Sequence, residues 1–468
     1  MEAERDKARE ECGVFGVSLT EDEGAGFTYN ALLALQHRGQ ESAGIAVLTD
    51  RSIRCVKDQG LVSEVFNGET LKRLPHASMA IGQVRYSTAG VSSGENAQPM
   101  VVEYLRGRIA VAHNGKLLNG AEIRDGLEKR GCDFIADTGT EIIANLIAME
   151  ALACENIEDA VAEAAKQLQG AFSLVVLSSQ GKLIALRDGW GFRPLCIGSG
   201  ELGLAVASES CALDGAGFDL IRDVKPGEMI VIDRQQKMDA YQILKRGRRG
   251  ICIFEYVYTA RPDSVIDGLS VYQARFRAGQ ILAREHPVDA DMVCGLPDSG
   301  LEAAQGFSAS SGVPIVSGFL KNRYIGRTFI YPSQKQREAA VRVKLNPLKA
   351  TVAGKKVVAV DDSIVRGTTV ANTIKSLKNA GAAEVHLRIA SPPFKHNCYF
   401  GTDISDEHTL IANRISLDEL CKRIGADSLG YVSLEGLKEA CGGCALPFCD
   451  GCFSGDYPLD VNEGKKTD

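Results

Sequence analysis

The chain has 468 residues, 45% of them hydrophobic and 24% charged, with a formal net charge of −7. The length favours two or more domains, and the negative charge argues against a nucleic-acid partner. No run of about 18 apolar residues is present, and residues 1–11 are almost all charged. We therefore predict neither a membrane span nor a secretion signal, and expect a cytoplasmic protein.

A cysteine stands at the start of the first predicted strand. The string CGVFGV begins at Cys12, directly after the charged leader. Taken alone, such a cysteine is usually a small buried hydrophobic residue. A helix end, a polar loop and another strand are predicted within residues 34–45.

Two polar motifs follow in the first half. Arg85 lies on a short predicted strand, where an arginine is usually a partner in a surface ion pair. Asn114 and Gly115 come after a predicted strand at 109–112, and Asn-Gly is by itself a turn signal. Neither motif alone identifies a catalytic site.

Helical and strand patterns then alternate up to a linker. Residues 142–168 have helical spacing. The predicted strands around them span residues 171–177, 183–187 and 229–233. A basic run at 245–249 indicates a linker, and we place the domain boundary between residues 240 and 241.

Two loops of the second half are rich in small or basic residues. The string CGLPDSG at 294–300 follows a strand and precedes a helix, as in an ordinary βα turn. Its small residues would let the backbone approach a pyrophosphate closely. Residues 321–347 are basic and polar, which is typical of a solvated surface loop.

The stretch from Val357 to Thr369 carries the densest chemical signal. Four small apolar residues at 357–360 predict a buried parallel strand, and Asp361 and Asp362 follow at once. A hydroxyl-rich loop then leads into a helical pattern that stops at Gly381. Such a helix N-terminus suits a phosphate, and the acids suit ribose hydroxyls or magnesium. The alternative is a turn with two solvated aspartates.

The chain has 14 cysteines, and they cluster at its end. Cys441 and Cys444 form one CxxC pair, and Cys449 and Cys452 form another. Taken alone, the two pairs suggest a small zinc site.

The string DDSIVRGTT at 361–369 resembles the phosphoribosyl pyrophosphate (PRPP) signature of type I phosphoribosyltransferases, and in this form that of glutamine PRPP amidotransferases. The strings around Cys12, Arg85 and Asn114 match the same family in the same order. The resemblance runs from Cys12 to about residue 458. It implies a two-domain fold of the α/β and α+β classes. Residues 12–240 would form an αββα sandwich of the N-terminal nucleophile hydrolases, a class II glutamine amidotransferase domain. Residues 241–468 would form a phosphoribosyltransferase with a parallel sheet, entered by a strand in 251–263.

The resemblance also implies the roles of residues in the first half. Residues 1–11 would be a propeptide, and its removal would let the α-amino group of Cys12 act as base for the Cys12 thiol. Asn114 and Gly115 would form an oxyanion hole, and Arg85 would hold the α-carboxylate of glutamine.

One position departs from the family pattern. Gly139 stands where the family has an aspartate that pairs with the glutamine ammonium. Asp137 would compensate, another carboxylate would do so, or glutamine would bind weakly. The sequence leaves these alternatives open.

In the second half, the resemblance implies a PRPP site and two metal sites. The PRPP contacts would be Asp361, Asp362, Ser363, Arg366, Gly367, Thr368 and Thr369, with Lys321 and Arg323 from a loop that closes over PRPP. Magnesium would lie near Ser299, Asp361 and Asp362. A 4Fe–4S cluster, which we favour over zinc, would be held by Cys252, Cys398, Cys449 and Cys452. Cys441 and Cys444 are then surplus.

The implied reaction converts glutamine, PRPP and water into 5-phosphoribosylamine, pyrophosphate and glutamate, which begins purine synthesis. Purine nucleotides would inhibit it, and the chain would form a homo-oligomer, a dimer or tetramer. Two alternatives remain. One is an enzyme of the same build that uses only ammonia, because Gly139 impairs glutamine binding. The other is a PRPP- or nucleotide-binding regulator without catalysis.

Overall fold

The computed structural model describes residues 12–50, 52–86, 94–245, 250–322, 345–402, 404, 406–443 and 448–461. Residues 1–11, Arg323 and Cys444, which carry predictions, lie outside these ranges. None of the helices described is long and apolar enough to cross a membrane.

One antiparallel sheet of seven strands begins directly at Cys12. Its strands are β1 (Gly13–Leu19), β2 (Ser42–Leu48), β3 (Ile53–Gln59), β4 (Met79–Arg85), β9 (Cys196–Gly200), β10 (Gly203–Ala207) and β11 (Asp219–Asp223). Their order is β11-β9-β10-β1-β4-β2-β3, so β1 is central and all seven of its residues are buried. On one side β1 pairs with β4, and Gly13 lies opposite Val84. This pairing brings Cys12 beside the carboxyl end of β4.

A second antiparallel sheet of six strands packs on the first. Its strands are β5 (Met100–Tyr104), β6 (Gly107–Leu117), β7 (Gly170–Ser178), β8 (Lys182–Arg187), β12 (Glu228–Asp233) and β13 (Met238–Gln242). Their order is β13-β12-β8-β7-β6-β5. Alternate residues such as Val14, Ala112 and Val175 fill the space between the two sheets.

Helices cover the outer face of each sheet. They are α1 (Gly24–Ala34), α2 (Val62–Val65), α3 (Gly120–Glu128), α4 (Gly139–Glu150), α5 (Ile157–Gln167) and α6 (Ser210–Ala216). The apolar sides of α1 and α6 pack on the first sheet, and those of α4 and α5 on the second. The predicted four-layer αββα sandwich is therefore confirmed. Since β13 ends at Gln242, we propose the domain junction just after it.

The second domain is built on a parallel sheet of four strands in the order β17-β20-β21-β22. These are β17 (Met292–Gly295), β20 (Lys356–Asp361), β21 (Glu384–Ile389) and β22 (Ser428–Tyr431). Successive residues of β20 face opposite sides, with Val358 in one apolar cluster and Val357 in the other. Both faces are covered, which explains why the strand is a continuous apolar run.

The covering helices are α7 (Val271–Glu285), α8 (Leu301–Ser311), α9 (Lys349–Val352), α10 (Thr368–Asn379), α11 (Ile411–Arg414), α12 (Leu417–Ile424), α13 (Leu434–Ala440) and α14 (Gly451–Ser454). Three short strand pairs complete the domain: β14 (Ile251–Cys252) with β23 (Phe448–Cys449), β15 (Val265–Ile266) with β16 (Leu269–Ser270), and β18 (Phe319–Lys321) with β19 (Leu345–Pro347).

The predicted strand across 251–263 is wrong beyond its start. Only Ile251–Cys252 is a strand, and a π-helix follows at Glu255–Thr259. The segment crosses the domain junction, where the side chain of Glu255 is buried among arginines rather than exposed on a sheet. Tertiary contacts here override the strand preference of the apolar residues.

Candidate active site

Cys12 lies at the mouth of the sandwich, immediately before β1. Its Sγ is 3.6 Å from the carbonyl oxygen of Tyr86, which follows β4. Its own carbonyl oxygen accepts a hydrogen bond of 3.0 Å from Nε of Arg38. The thiol is only partly buried, so it can meet a substrate.

Asn114 and Gly115 lie near the end of β6, on the other sheet. Asn114 is completely buried, yet neither its side-chain oxygen nor its nitrogen has a hydrogen-bond partner among the described residues. Gly115 has φ +140°, and a Cβ there would lie 2.1 Å from the carbonyl oxygen of Ala171. Only glycine fits this position. The side chain of Gln83 on β4 donates to the carbonyl oxygen of His113 at 3.2 Å, which joins the two sheets beside the site.

Arg85 and the N-terminus of α4 complete this region. Arg85 is the last residue of β4, is 4% exposed, and lies 3.9 Å from a carboxylate oxygen of Glu41. Gly139 is the first residue of α4. The side chain of Asp137 is 82% exposed and lies 3.4 Å from Arg124. Asp137 therefore faces the surface in this structure.

His113 precedes the Asn-Gly pair and is 4% exposed. Burial lowers the pKa of its ring to about 4, because the charged form cannot be solvated there. Its Nε2 atom has no hydrogen-bond partner within the described part of the chain. The ring is therefore neutral near pH 7, with an unused polar atom.

A second site lies where β17 and β20 end side by side. The Oγ atoms of Ser299 and Ser363 each donate to the carboxylate of Asp362 at 2.5 Å, one to each oxygen. The backbone N–H of Asp362 donates to Asp361 at 3.0 Å. Both acids are at most 2% exposed. The parallel pairing of Gly295 with Val360 brings Ser299 to the acids, as expected for this edge of the sheet.

The loop after these acids opens α10. Gly367 precedes the helix with φ +84°, and Thr368 and Thr369 form its first turn. Nε of Arg366 is buried without a hydrogen-bond partner among the described residues. Lys321, at the end of β18, forms an ion pair with Asp298 of the 294–300 loop. Threonine hydroxyls, backbone N–H groups and the neighbouring Arg366 thus lie at the N-terminus of α10, an arrangement suited to phosphate.

Comparisons with known proteins place both halves in known families. Residues 83–215 match the glutamine amidotransferase domain family, and residues 273–397 match the phosphoribosyl transferase domain family. The amidophosphoribosyltransferase of Methanocaldococcus jannaschii is 47% identical over 96% of this chain and 98% of its own length. The chain belongs to the amidophosphoribosyltransferase family.

Two other relatives agree with this assignment. The amidophosphoribosyltransferase of Synechocystis is 46% identical over 97% of this chain and 92% of its own length. A glutamine PRPP amidotransferase from B. subtilis, solved in complex with ADP and GMP, superposes with a TM-score of 0.89. It is 41% identical and covers 96% of this chain and 98% of its own. The chain is thus a pentosyltransferase of the first step of purine biosynthesis.

Four cysteines of the second domain lie close together. Cys252 on β14 is directly opposite Cys449 on β23. Burial raises the pKa of Cys452 well above its usual value, and the nearby Cys398, Cys252 and Cys449 raise it further. Cys441 instead lies in the apolar core beneath α7. Within the described residues, no three His, Cys, Asp or Glu side chains are arranged to hold a single metal ion.

A buried ionic network lies behind Cys12, and no motif in the sequence indicates it. The guanidinium of Arg38 donates to the carbonyl oxygen of Cys12. It also donates to Glu209 at 2.6 Å and to both oxygens of Glu255 at 2.9 and 2.8 Å. Arg193 reaches Glu255 at 3.4 Å. Burial would raise the pKa of Glu255, but the positive charge of Arg38 outweighs it and keeps the pKa low. No local pattern could reveal this network, because charged residues are rarely buried.

Proposed function

We propose that this chain releases ammonia from glutamine at Cys12 and adds it to C1 of PRPP beside Asp361 and Asp362. Pyrophosphate would leave, and 5-phosphoribosylamine would be the product. Two sites on one chain support this proposal: a thiol at the same end of the sandwich as an unpaired buried amide, and two acids followed by a helix N-terminus. Neither alternative function is favoured by a comparable observation.

The unpartnered amide of Asn114 is the observation that carries the glutaminase half. A buried amide without partners costs free energy, so a ligand that pairs with it accounts for its presence. The thiolate of Cys12 would attack the amide carbon, while the Asn114 side chain and the Gly115 N–H donate to the developing oxyanion. Ammonia would leave, and water would hydrolyse the thioester to glutamate.

Activation of the thiol requires a free α-amino group on Cys12. We therefore propose that residues 1–11 are removed before the enzyme is active. Intact-mass measurement of active protein tests this: the mass should correspond to a chain that begins at Cys12. Active protein that still carries Met1 would contradict it.

In the transferase half, we propose that Asp361 and Asp362 bind ribose hydroxyls. The loop from Ser363 through Arg366 and Gly367 to Thr368 and Thr369 would hold the 5-phosphate, and Lys321 the pyrophosphate. Arg323 stays a prediction outside the described residues. The oxygen atoms of Ser299, Asp361 and Asp362 fit a Mg²⁺ site, since Mg²⁺ prefers carboxylates together with substrate phosphates. When bound, Mg²⁺ would neutralise charge on the leaving pyrophosphate.

We propose that Cys252, Cys398, Cys449 and Cys452 hold a 4Fe–4S cluster, supported by their convergence from three segments. A bound cluster would tie β14 and β23 together and stabilise the domain junction. The visible spectrum of anaerobically purified protein tests this, and iron absorption with about four irons per chain is expected. A colourless protein that contains zinc would contradict it.

We further propose that purine nucleotides compete with PRPP at the phosphate loop, because the B. subtilis relative was solved with ADP and GMP. A cytoplasmic location is supported by the cysteines of the described residues, which are thiols rather than disulfides. A dimer or tetramer stays a prediction, which light scattering can test.

The experiment that tests the proposed function is release of glutamate by anaerobically purified protein with and without PRPP. Stoichiometric glutamate and pyrophosphate are expected. An enzyme limited to ammonia would release pyrophosphate only with ammonium, and a non-catalytic regulator would release none.

A further inference from the structure

We propose that the amide pocket of this enzyme binds its substrate through the α-carboxylate and the amide alone, and leaves the α-ammonium without a carboxylate partner. The pocket would therefore accept five-carbon ω-amide acids whether or not they carry an α-ammonium. Glutaramate, which is glutamine without its amino group, is the simplest such substrate. This inference rests on the proposed glutaminase and resolves the role of Gly139.

The fold does not require glycine at position 139. Its φ lies outside the left-handed region, unlike that of Gly115. The nearest atoms to a Cβ at 139 would belong to Leu117 at 3.8 Å and the His113 ring at 3.9 Å, which are ordinary contacts. Glycine in a helix also costs stability relative to alanine. A side chain therefore fits here, and its absence changes the chemistry of the pocket rather than the backbone.

The acids nearest to Gly139 in the chain, Asp137 and Glu141, already have other partners. The two oxygens of Glu141 accept the backbone N–H groups of Ile135 and Ala136 at 3.0 and 2.7 Å. Asp137 faces Arg124 at the surface. Glu41 lies beside Arg85, the residue that would hold the carboxylate. An ammonium near Gly139 would have to take a carboxylate away from one of these partners.

The side chains nearest to a Cβ at Gly139, Leu117 and the His113 ring, carry no charge near pH 7. The N-terminus of α4, a helix of 12 residues, carries the positive end of its dipole, which opposes an ammonium. The ring of His113 is buried with Nε2 unpartnered, and beyond it the amide of Asn114 is also unpartnered. These groups can accept or donate hydrogen bonds, but they offer no negative charge to distinguish glutamine from glutaramate.

The test compares ammonia release from glutamine and from glutaramate in the presence of PRPP, in the wild type, Gly139→Asp and Gly139→Ala. In the wild type, kcat/KM for the two amides should agree within about 10-fold. In Gly139→Asp, kcat/KM for glutamine should exceed that for glutaramate by about 30-fold or more. This factor is at the lower end of the effects expected when a charge gains a buried partner. Gly139→Ala adds the same Cβ without charge, so its ratio should stay close to that of the wild type.

A wild type that prefers glutamine by more than about 100-fold would overturn the inference, because a carboxylate would then have to pair with the ammonium. Activity with ammonium as the nitrogen source reports that each variant is folded. If Gly139→Asp fails to fold, the wild-type ratio still decides. If neither amide reacts while ammonium does, the proposed glutaminase itself fails, and this inference fails with it.

Discussion

Asn114 and Gly115 are neighbours on β6, and each is unusual for a different reason. The buried side chain of Asn114 has no hydrogen-bond partner among the described residues. Gly115 cannot be replaced by a larger residue, because a Cβ would lie 2.1 Å from a carbonyl oxygen. Together they leave a side-chain amide and a backbone N–H group near the Cys12 end of the sandwich. A stable fold alone would favour a hydrogen-bond partner for the amide, and this is why we propose a catalytic role for the pair.

Asn114→Ala should lower glutamine-dependent turnover by about 100- to 1,000-fold, as expected for the loss of one oxyanion donor. Activity with ammonium should remain, because the transferase site is untouched. Measuring kcat with each nitrogen source checks both statements. An equal loss with both sources would mean that Asn114 supports the fold rather than the oxyanion.

His113 predicts a pH dependence of stability. Its pKa is lowered from 6.5 to about 4 by burial, so the unfolded chain binds a proton below pH 6.5 that the folded chain refuses. Stability should therefore fall as the pH is lowered from 6.5 towards 4. The loss between about pH 7 and about pH 5 should be about 2 kcal/mol.

The measurement is the free energy of unfolding at both pH values in the wild type and in His113→Gln, which should lose most of this dependence. His408→Gln, at an exposed histidine, is the matched control and should keep it. Identical pH profiles for all three proteins would contradict the assignment.

For single residues, the sequence predicts which ones are candidates for the site better than it predicts the contacts around them. The resemblance of the ordered motifs to glutamine PRPP amidotransferases is what pointed to Cys12, Arg85 and Asn114. It could not predict that Asp137 faces Arg124 or that Arg38 is buried beneath Cys12. Those facts depend on contacts between residues far apart in the chain.

Among the elements, β20, its loop and α10 form the unit on which we propose the PRPP site. The apolar run at 357–360 forms the predicted strand, covered on both faces, and a helix follows the acids as the pattern predicted. The helix begins directly after Gly367, within the stretch predicted as a loop. The element between the domains was predicted less well. An apolar run cannot by itself distinguish a strand from a helical turn, and 255–259 is a π-helix.

Gly367→Ala tests the backbone geometry of the phosphate loop. The neighbours of a Cβ there are 3.5 Å or more away, so the cost comes from φ +84° rather than from crowding. We expect a cost of about 1–2 kcal/mol, which should raise the KM for PRPP by roughly 5- to 30-fold.

Gly381→Ala is the matched control at the other end of α10, with φ +99°. It should destabilise the fold similarly without changing the KM for PRPP. Equal KM values in both variants would show that the conformation of Gly367 does not matter for binding.

Across the whole molecule, three completely buried arginines of the first domain, Arg38, Arg187 and Arg193, reach into the second. Arg187 forms two hydrogen bonds with Asp267, at 2.9 and 2.8 Å. Arg193 donates to the carbonyl oxygen of Phe400 at 2.7 Å. The two domains are therefore joined by oriented charge pairs rather than by apolar contact alone. Since Arg38 also donates to the carbonyl oxygen of Cys12, this junction positions the residue that we propose as the nucleophile.

Glu255→Gln should be strongly destabilising, by about 3–5 kcal/mol, because it leaves Arg38 buried with less compensating charge. It should also lower glutamine-dependent turnover more than ammonium-dependent turnover. Unfolding and both activities are the measurements. Asp125→Asn removes an exposed ion pair and is the control, with an expected cost below about 1 kcal/mol. A Glu255 variant as stable as this control would contradict the role given to the network.

The cooperation of the two sites can be measured directly by following the nitrogen atom. Glutamine labelled with nitrogen-15 in its amide is supplied with PRPP and an excess of unlabelled ammonium at a concentration that gives little direct reaction. We expect the phosphoribosylamine to carry the label in proportion to the glutamate formed. Cys12→Ala should abolish this labelling, while ammonium at high concentration should still react. Phosphoribosylamine with the isotope content of the bulk ammonium would contradict it.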